Sequence, residues 1–266
     1  MEQEAITMQQ TKKMLLIAWA FLTMAASCHT TGVKPQSVRT LRVLTYNIHH
    51  GEGTDERFDY DRLVGVIKKL RPDIVALQEV DWGTERASGA DQAKILAELC
   101  RMHYAFGQAM PHQGGQYGEA ILSRFPIEKT VVHPLPYQID LEPRAAIEVV
   151  IRPAGIGPIS FVGTHLCHKS NELRIQQTRR LTQLFPSKEG IPVVLAGDFN
   201  ARPGSEPMNV LLSTGWIDVV SPRSVIDYVL VRACDPWKVK EVIIADEPVA
   251  SDHNPVLAVL AWQGVD

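Results

Sequence analysis

The sequence predicts an α+β fold in which β-sheets pack together under covering helices, and three observations predict it. Short apolar runs of strand length alternate with stretches whose apolar residues recur at helical spacing. The middle of the chain carries hairpin chemistry, Gly155-Ile156-Gly157-Pro158, between two strand-like runs. The composition, 45% hydrophobic and 21% charged over 266 residues, is that of a globular chain long enough for one large domain or two small ones.

In chain order, Lys12-Lys13 precede an apolar run from Met14 to Ala26, interrupted only by Thr23, that ends in Ala25-Ala26-Ser27-Cys28. A basic start, a short apolar stretch and small residues before a cleavage point make residues 1–28 an expected export signal. The run is shorter than the roughly 20 apolar residues a membrane span needs. Cys28 directly after small residues resembles the acylated cysteine of bacterial lipoproteins, so a periplasmic or membrane-anchored location is expected. An ordinary cleaved signal with an incidental Cys28 is the alternative. Residues 29–40 read as a polar tether ahead of a domain over 41–264.

Within that domain Leu41–Tyr46 is a strand, and Leu63, Val66, Ile67 and Leu70 share one helix face that Pro72 stops. Asp73–Leu77 is a short strand running into Gln78-Glu79. Residues 91–102 form a helix with Ile95, Leu96, Leu99 and Cys100 inward. Glu119–Ser123, Ala145–Arg152 and Ile159–His165 are strands, the last two forming the hairpin. Asn171–Phe185 is a helix capped by Ser170 or Asn171. Pro192–Gly197, Ile226–Val231, Lys238–Ala245 and Pro255–Trp262 complete the strands. Cys100, Cys167 and Cys234 are too scattered for a disulfide framework, and Cys100 and Cys167 read as small buried apolar groups.

Five segments place polar clusters against apolar strands: 44–48, 76–80, 162–166, 195–200 and 250–255. Turns favour Gly, Pro and Asn over His and Glu, so five such clusters point to a site. Asn47, Glu79, Asp198 and Asp252 are oxygen ligands that suit Mg²⁺, Mn²⁺ or Ca²⁺, whereas zinc calls for His and Cys at spacings absent here. No Gly-x-Ser-x-Gly element and no P-loop occur, which disfavours a serine hydrolase and an NTPase. The net charge of −3 includes no basic block, so nucleic acid is not the favoured partner.

The chain resembles the endonuclease/exonuclease/phosphatase superfamily of DNase I-like metal-dependent phosphoesterases. The resemblance rests on Thr45-Tyr46-Asn47-Ile48-His49-His50-Gly51, Leu77-Gln78-Glu79-Val80-Asp81, Gln116 to Arg124, Gly163-Thr164-His165-Leu166, Gly197-Asp198-Phe199-Asn200, Ile226-Asp227-Tyr228-Val229 and Ser251-Asp252-His253-Asn254-Pro255. They stand in the family's order over residues 41–262. The resemblance implies a four-layer α/β/β/α sandwich, with Asn47, Glu79 and Asp252 at the metal. It further implies that Asp198 orients and deprotonates the attacking water, helped by Asn200. His253, oriented by Asp227, and His165 would hold the phosphate.

Arg86, Glu119 and Arg144 fall at recurrent substrate-side positions, with ion pairs away from substrate as the competing reading. His49 and His50 follow the first motif. A departure is the short Trp216–Ile226 stretch, where relatives usually carry a longer loop. The expectation is a monomeric phosphodiesterase or phosphatase acting on a small or lipid phosphate. An extracytoplasmic nuclease and a non-catalytic surface-binding module are the alternatives.

Overall fold

The structure, a computed structural model, describes residues 39–188 and 190–264. The export signal and all but the last two residues of the tether lie outside the described residues. The first elements are β1 (Thr40–Asn47), a 3-10 turn (His49–Gly51), α1 (Tyr60–Leu70), β2 (Ile74–Trp82) and α2 (Gln92–Cys100). Five strands follow: β3 (His103–His112), β4 (Gly115–Ser123), β5 (Ile127–Pro134), β6 (Ala145–Ile151) and β7 (Ile159–His165). Then come α3 (Asn171–Leu184), β8 (Val193–Asp198), α4 (Glu206–Ser213), β9 (Trp216–Asp218), β10 (Asp227–Arg232), β11 (Trp237–Ile244) and β12 (Val256–Trp262).

The strands form two six-stranded mixed sheets, ordered β11-β12-β1-β2-β4-β3 and β5-β6-β7-β8-β10-β9. Alternation along each central strand divides its side chains between two cores. Leu41, Val43, Ile74, Ala76 and Ile121 from the first sheet meet Ile147, Val149, Phe161, Val194 and Val229 from the second. The opposite faces are equally apolar. Leu44, Tyr46, Val75 and Leu77 pack on Leu63, Ile67 and Leu96 of α1 and α2. Val162, Leu195 and Tyr228 pack on Leu181, Met208 and Leu211 of α3 and α4. The result is the four-layer α/β/β/α sandwich that the resemblance implied. Each fully buried Leu, Ile or Phe contributes about 1.5–3 kcal/mol, so the three cores dominate the stability.

The helix starts follow from capping. Asp59, Asp91 and Ser170 accept backbone N–H bonds from Arg62, Lys94 and Leu173 at 2.9, 3.0 and 3.2 Å. Three strands and a helix escaped the sequence reading: β3, β5, β9 and α4. All three strands lie at sheet edges. An edge strand is half solvated, so its apolar signal is diluted, and Pro111 in β3 and Pro134 in β5 are tolerated there. The strand expected at 73–77 runs on to Trp82, through a register shift against β4 between Leu77 and Val80.

Topology brings the polar clusters to one rim. β1 and β2 are parallel with Asn47 beside Gln78, and β7 and β8 are parallel with His165 beside Asp198. β10 runs antiparallel to β8, so Asp227, at its beginning, pairs with Asp198. The segment 250–255 is the loop entering β12 rather than the end of a strand. Because β12 is antiparallel to β1, its start is what reaches the rim, and Ser251 Oγ anchors the loop on the Asn47 carbonyl at 2.7 Å.

Candidate active site

The rim opens into a cleft of about 310 Å³. Glu79 reaches it through the β2 bulge, the one extra residue that re-aims a side chain. Its backbone is left-handed (φ 59°), as are those of His49, His50 (both φ 46°) and Asn200 (φ 49°). Non-glycine residues in this region are strained, and such strain concentrates at functional sites. Gln92 steadies the His49–Gly51 turn, its amide nitrogen donating to the His50 carbonyl and its oxygen accepting from Asp81 N–H at 2.8 Å.

Asp198 is the centre of the constellation. Its Oδ1 accepts the Asn200 N–H at 2.8 Å. Around Oδ2 lie Asn47 Nδ2 at 3.3 Å, His165 Nε2 at 3.5 Å and His253 Nε2 at 3.6 Å. His253 Nδ1 sits 3.0 Å from Asp227 Oδ2, so the ring bridges two carboxylates. Burial lowers the affinity of His253 for its proton, but the Asp227 hydrogen bond and the charges of Asp227, Asp198 and Asp252 outweigh it and push the ring up to about 9. Burial and the Asp227 charge push Asp198 up to about 7, against His253, the Asn200 N–H and the Asn47 amide. At neutral pH the imidazolium is charged and the carboxyl is near its midpoint.

His165 has the opposite character. Burial and Arg144 drive it well below the ordinary histidine range, so it is neutral. Arg144 Nη1, which can only donate, lies 3.1 Å from Nδ1. Arg144 is itself buried and held by Glu142 at 2.7 Å, with His168 Nδ1 at 3.3 Å. Asn200 Nδ2 lies 2.9 Å from His165 Nε2 and donates to the Leu166 carbonyl at 3.1 Å.

A second corner is rich in oxygen. Asn47 donates to Glu79 Oε1 at 3.0 Å, and its own carbonyl oxygen accepts the His49 N–H at 3.0 Å, with a second lone pair to spare. Glu79 Oε2 has His50 Nδ1 3.8 Å away. Burial raises the Glu79 carboxyl, but the His50 and Asn47 contacts and the Arg144 charge together hold it well below the usual carboxylate range. The Asp252 carboxylate lines the same cleft with Ser251 Oγ at 3.4 Å. Two carboxylates and an amide oxygen fit a hard divalent cation. Among the described residues, Asp198, Asp227 and His253 also bring ligand atoms within 4.8 Å of one another. There, however, a proton on His253 already joins the two carboxylates, and a cation would compete with it.

Of the expected site residues, Asn47, Glu79, His165, Asp198, Asn200, Asp227, Asp252 and His253 therefore come together. Arg86 lines the cleft while making a bidentate pair to buried Asp81 at 2.6 and 2.9 Å, and it covers Tyr117. Arg144 lines it as well. Glu119 is fully buried and does not line the cleft; both its oxygens lack hydrogen bonds, and burial with the Glu79 charge pushes it up to about 8 against Arg144. Met110, His112, Tyr117, Glu142 and His168 complete the lining; Tyr117 falls within a motif of the resemblance, and the other four were not expected there. Met110 and His112 lie on the unrecognised edge strand, and Glu142 and His168 sit in loops where no periodicity marks them.

A buried carboxylate poised near neutral pH, a charged imidazole, a neutral imidazole and an oxygen-rich corner in one cleft define a site for phosphate-ester hydrolysis. The chain belongs to the Endonuclease/Exonuclease/phosphatase family, whose profile matches residues 44–253. It is a phosphoesterase of a family generally dependent on divalent metal. The chain is 30% identical over 170 residues to the inositol phosphosphingolipids phospholipase C of Saccharomyces cerevisiae, covering 55% of this chain and 33% of that protein. It thus spans about a third of that relative's length. To the Escherichia coli (strain K12) protein YbhP it is 29% identical over 171 residues, 60% of this chain and 67% of that one. The crystal structure of an endonuclease/exonuclease/phosphatase from Beutenbergia cavernae superposes with a TM-score of 0.71 at 25% identity, covering 85% of this chain and 72% of the other.

Proposed function

We propose that this chain is a divalent-metal-dependent phosphodiesterase or phosphatase that acts on a small or lipid phosphate ester outside the cytoplasm. The observation that carries the proposal is the convergence on Asp198 of His165, His253 and Asn200, in one cleft with Glu79 and Asp252. An anionic phosphate ester repels the hydroxide formed as water is deprotonated, so its oxygens need neutralising in a partly dry site. Protonated His253 presents a donor to them, and buried Arg144 adds a fixed positive charge behind neutral His165. Asp198 orients the water and takes its proton, and a base titrating near the working pH is the effective kind. Asp227 holds His253 in register and keeps it charged. Glu79, Asp252 and the Asn47 carbonyl would hold the cation, with Mg²⁺ favoured and Mn²⁺ or Ca²⁺ chemically equivalent, and it would supply further positive charge at the phosphoryl oxygens.

The yeast relative's name, a phospholipase C for inositol phosphosphingolipids, supports a diester with a small or lipid headgroup over DNA, as does the acidic net charge. The basic start, the apolar run and Cys28 support export, with an acyl anchor on Cys28. The test is release of p-nitrophenol from bis-p-nitrophenyl phosphate and p-nitrophenyl phosphate, with and without Mg²⁺, followed by plasmid DNA, sphingomyelin and inositol phosphates. Metal-stimulated release that Asp198→Ala lowers by about 10²–10⁴ is expected. No metal-stimulated turnover from folded protein would leave a binding module in its place, and DNA as the fastest substrate would make it a nuclease.

A further inference from the structure

At the end of the sandwich opposite the cleft, α1, α2 and the β4–β5 turn enclose a pocket of about 360 Å³. Four cations line it, Lys68, Arg71, Arg101 and Arg124, over an apolar floor that includes Ile67 and Met102, and no carboxylate lines it. Arg124 is paired with Asp73 at 2.7 Å. The charged ends of Lys68, Arg71 and Arg101 have no hydrogen-bond or ion-pair partner among the described residues. Complementing the helix C-terminal dipoles accounts for cations here individually. It does not account for their gathering from two helices and a turn around one pocket.

Both helices, moreover, end on an arginine in the left-handed conformation, Arg71 (φ 49°) and Arg101 (φ 57°). Glycine usually stands there, because a Cβ crowds the backbone. Next to Arg101, Leu99 and Tyr104 are exposed. β1 runs parallel to β2, so its first residue, Thr40, lies at this same end. Arg42 of β1 donates to the carbonyls of Leu70 and Arg71 at the pocket's edge.

We propose that this pocket and its rim dock on an anionic bilayer surface, the cations meeting lipid phosphates while Leu99 and Tyr104 enter the headgroup layer. Charge complementarity and the position of Thr40, where the expected tether ends, select this occupant. Glu79 lies five residues along β2 from Ile74, about 17 Å away at strand rise, so the cleft opens toward the aqueous side. A water-soluble ester reaches it without leaving solution.

The inference does not depend on the catalytic reading. Its test is sedimentation of the full chain with phosphatidylcholine vesicles with and without phosphatidylglycerol, comparing wild type with Arg71→Gly/Arg101→Gly. Glycine relieves both left-handed positions, so the variant should unfold at the same temperature or higher, and hydrolysis of a soluble diester should not change. Each cation near an anionic surface is worth about fivefold in binding, so the variant should partition about 30-fold less onto phosphatidylglycerol vesicles. The apolar N-terminal run contributes equally to both proteins and drops out of that ratio. Equal partitioning of the two proteins, or of wild type onto both kinds of vesicle, would overturn the proposal. So would displacement of wild type by soluble glycerol phosphate at constant ionic strength, which would mark a small-anion site.

Discussion

Asp227→Asn removes one oxygen charge and leaves the shape of the site intact, so it isolates what the carboxylate does for its neighbours. In the wild type, Asp227 Oδ2 sits 3.0 Å from His253 Nδ1 and supplies most of what pushes that ring up to about 9. The same charge helps to push Asp198 up to about 7. Catalysis needs Asp198 ionised and His253 protonated, so the wild-type profile should rise near pH 7 and fall near pH 9, values that belong to the coupled pair. Without Asp227, His253 falls toward the ordinary value near 6.5. At pH 8 its protonated fraction drops from about nine-tenths to about three-hundredths, a loss of about thirtyfold in competent enzyme. Asp198 also becomes more acidic, so both limbs move down and the optimum shifts from near pH 8 to near or below pH 6. The assay is kcat for bis-p-nitrophenyl phosphate from pH 5 to 10 at saturating metal. An alkaline limb still near pH 9 in the variant, or a uniform loss at every pH, would show that Asp227 does not set the charge of His253.

Three further perturbations test other parts of the site. Glu119→Gln should stabilise the protein increasingly above pH 5. A buried carboxyl raised to about 8 contributes stability below its unfolded value, and that contribution is lost as pH rises through 8. Urea midpoints at pH 5 and pH 9 should diverge between wild type and variant, and equal differences at both would exclude the effect. Gly197→Ala would place a Cβ 2.0 Å from the Thr164 carbonyl oxygen, at a residue with φ 157°. A loss of about 2 kcal/mol or more in chemical denaturation is expected, with activity falling too because Asp198 is the next residue. Glu79→Gln should raise the Mg²⁺ concentration for half-maximal rate and weaken Mg²⁺ binding by calorimetry, while the urea midpoint moves little; unchanged metal binding would take Glu79 out of the ligand set.

How much of this was legible in the sequence depends on how each signal is encoded. The central strands and three of the helices were readable because both faces of each sheet are buried, which leaves nearly continuous apolar runs with capping residues at their borders. Three of the four edge strands were not: β3 and β5 have a solvated face and carry a proline, and β9 is only three residues long. The site's residue types were readable as polar clusters against those apolar runs. Their meeting was not, because local sequence does not record that β12 runs antiparallel to β1 and so brings the start of a strand, rather than its end, to Asn47.

The sequence by itself determined the layers, the chemistry of the oxygen and imidazole groups, and, through the ordered motifs, the family. Only the tertiary structure decided what charge those groups carry. His165 and His253 are the same side chain in similar sequence settings, yet one is neutral and the other protonated. The reason is that Arg144 faces the first and Asp227 the second, each brought there from a distant part of the chain. Charge state in a buried site is set by through-space neighbours and desolvation, and neither is written in local sequence.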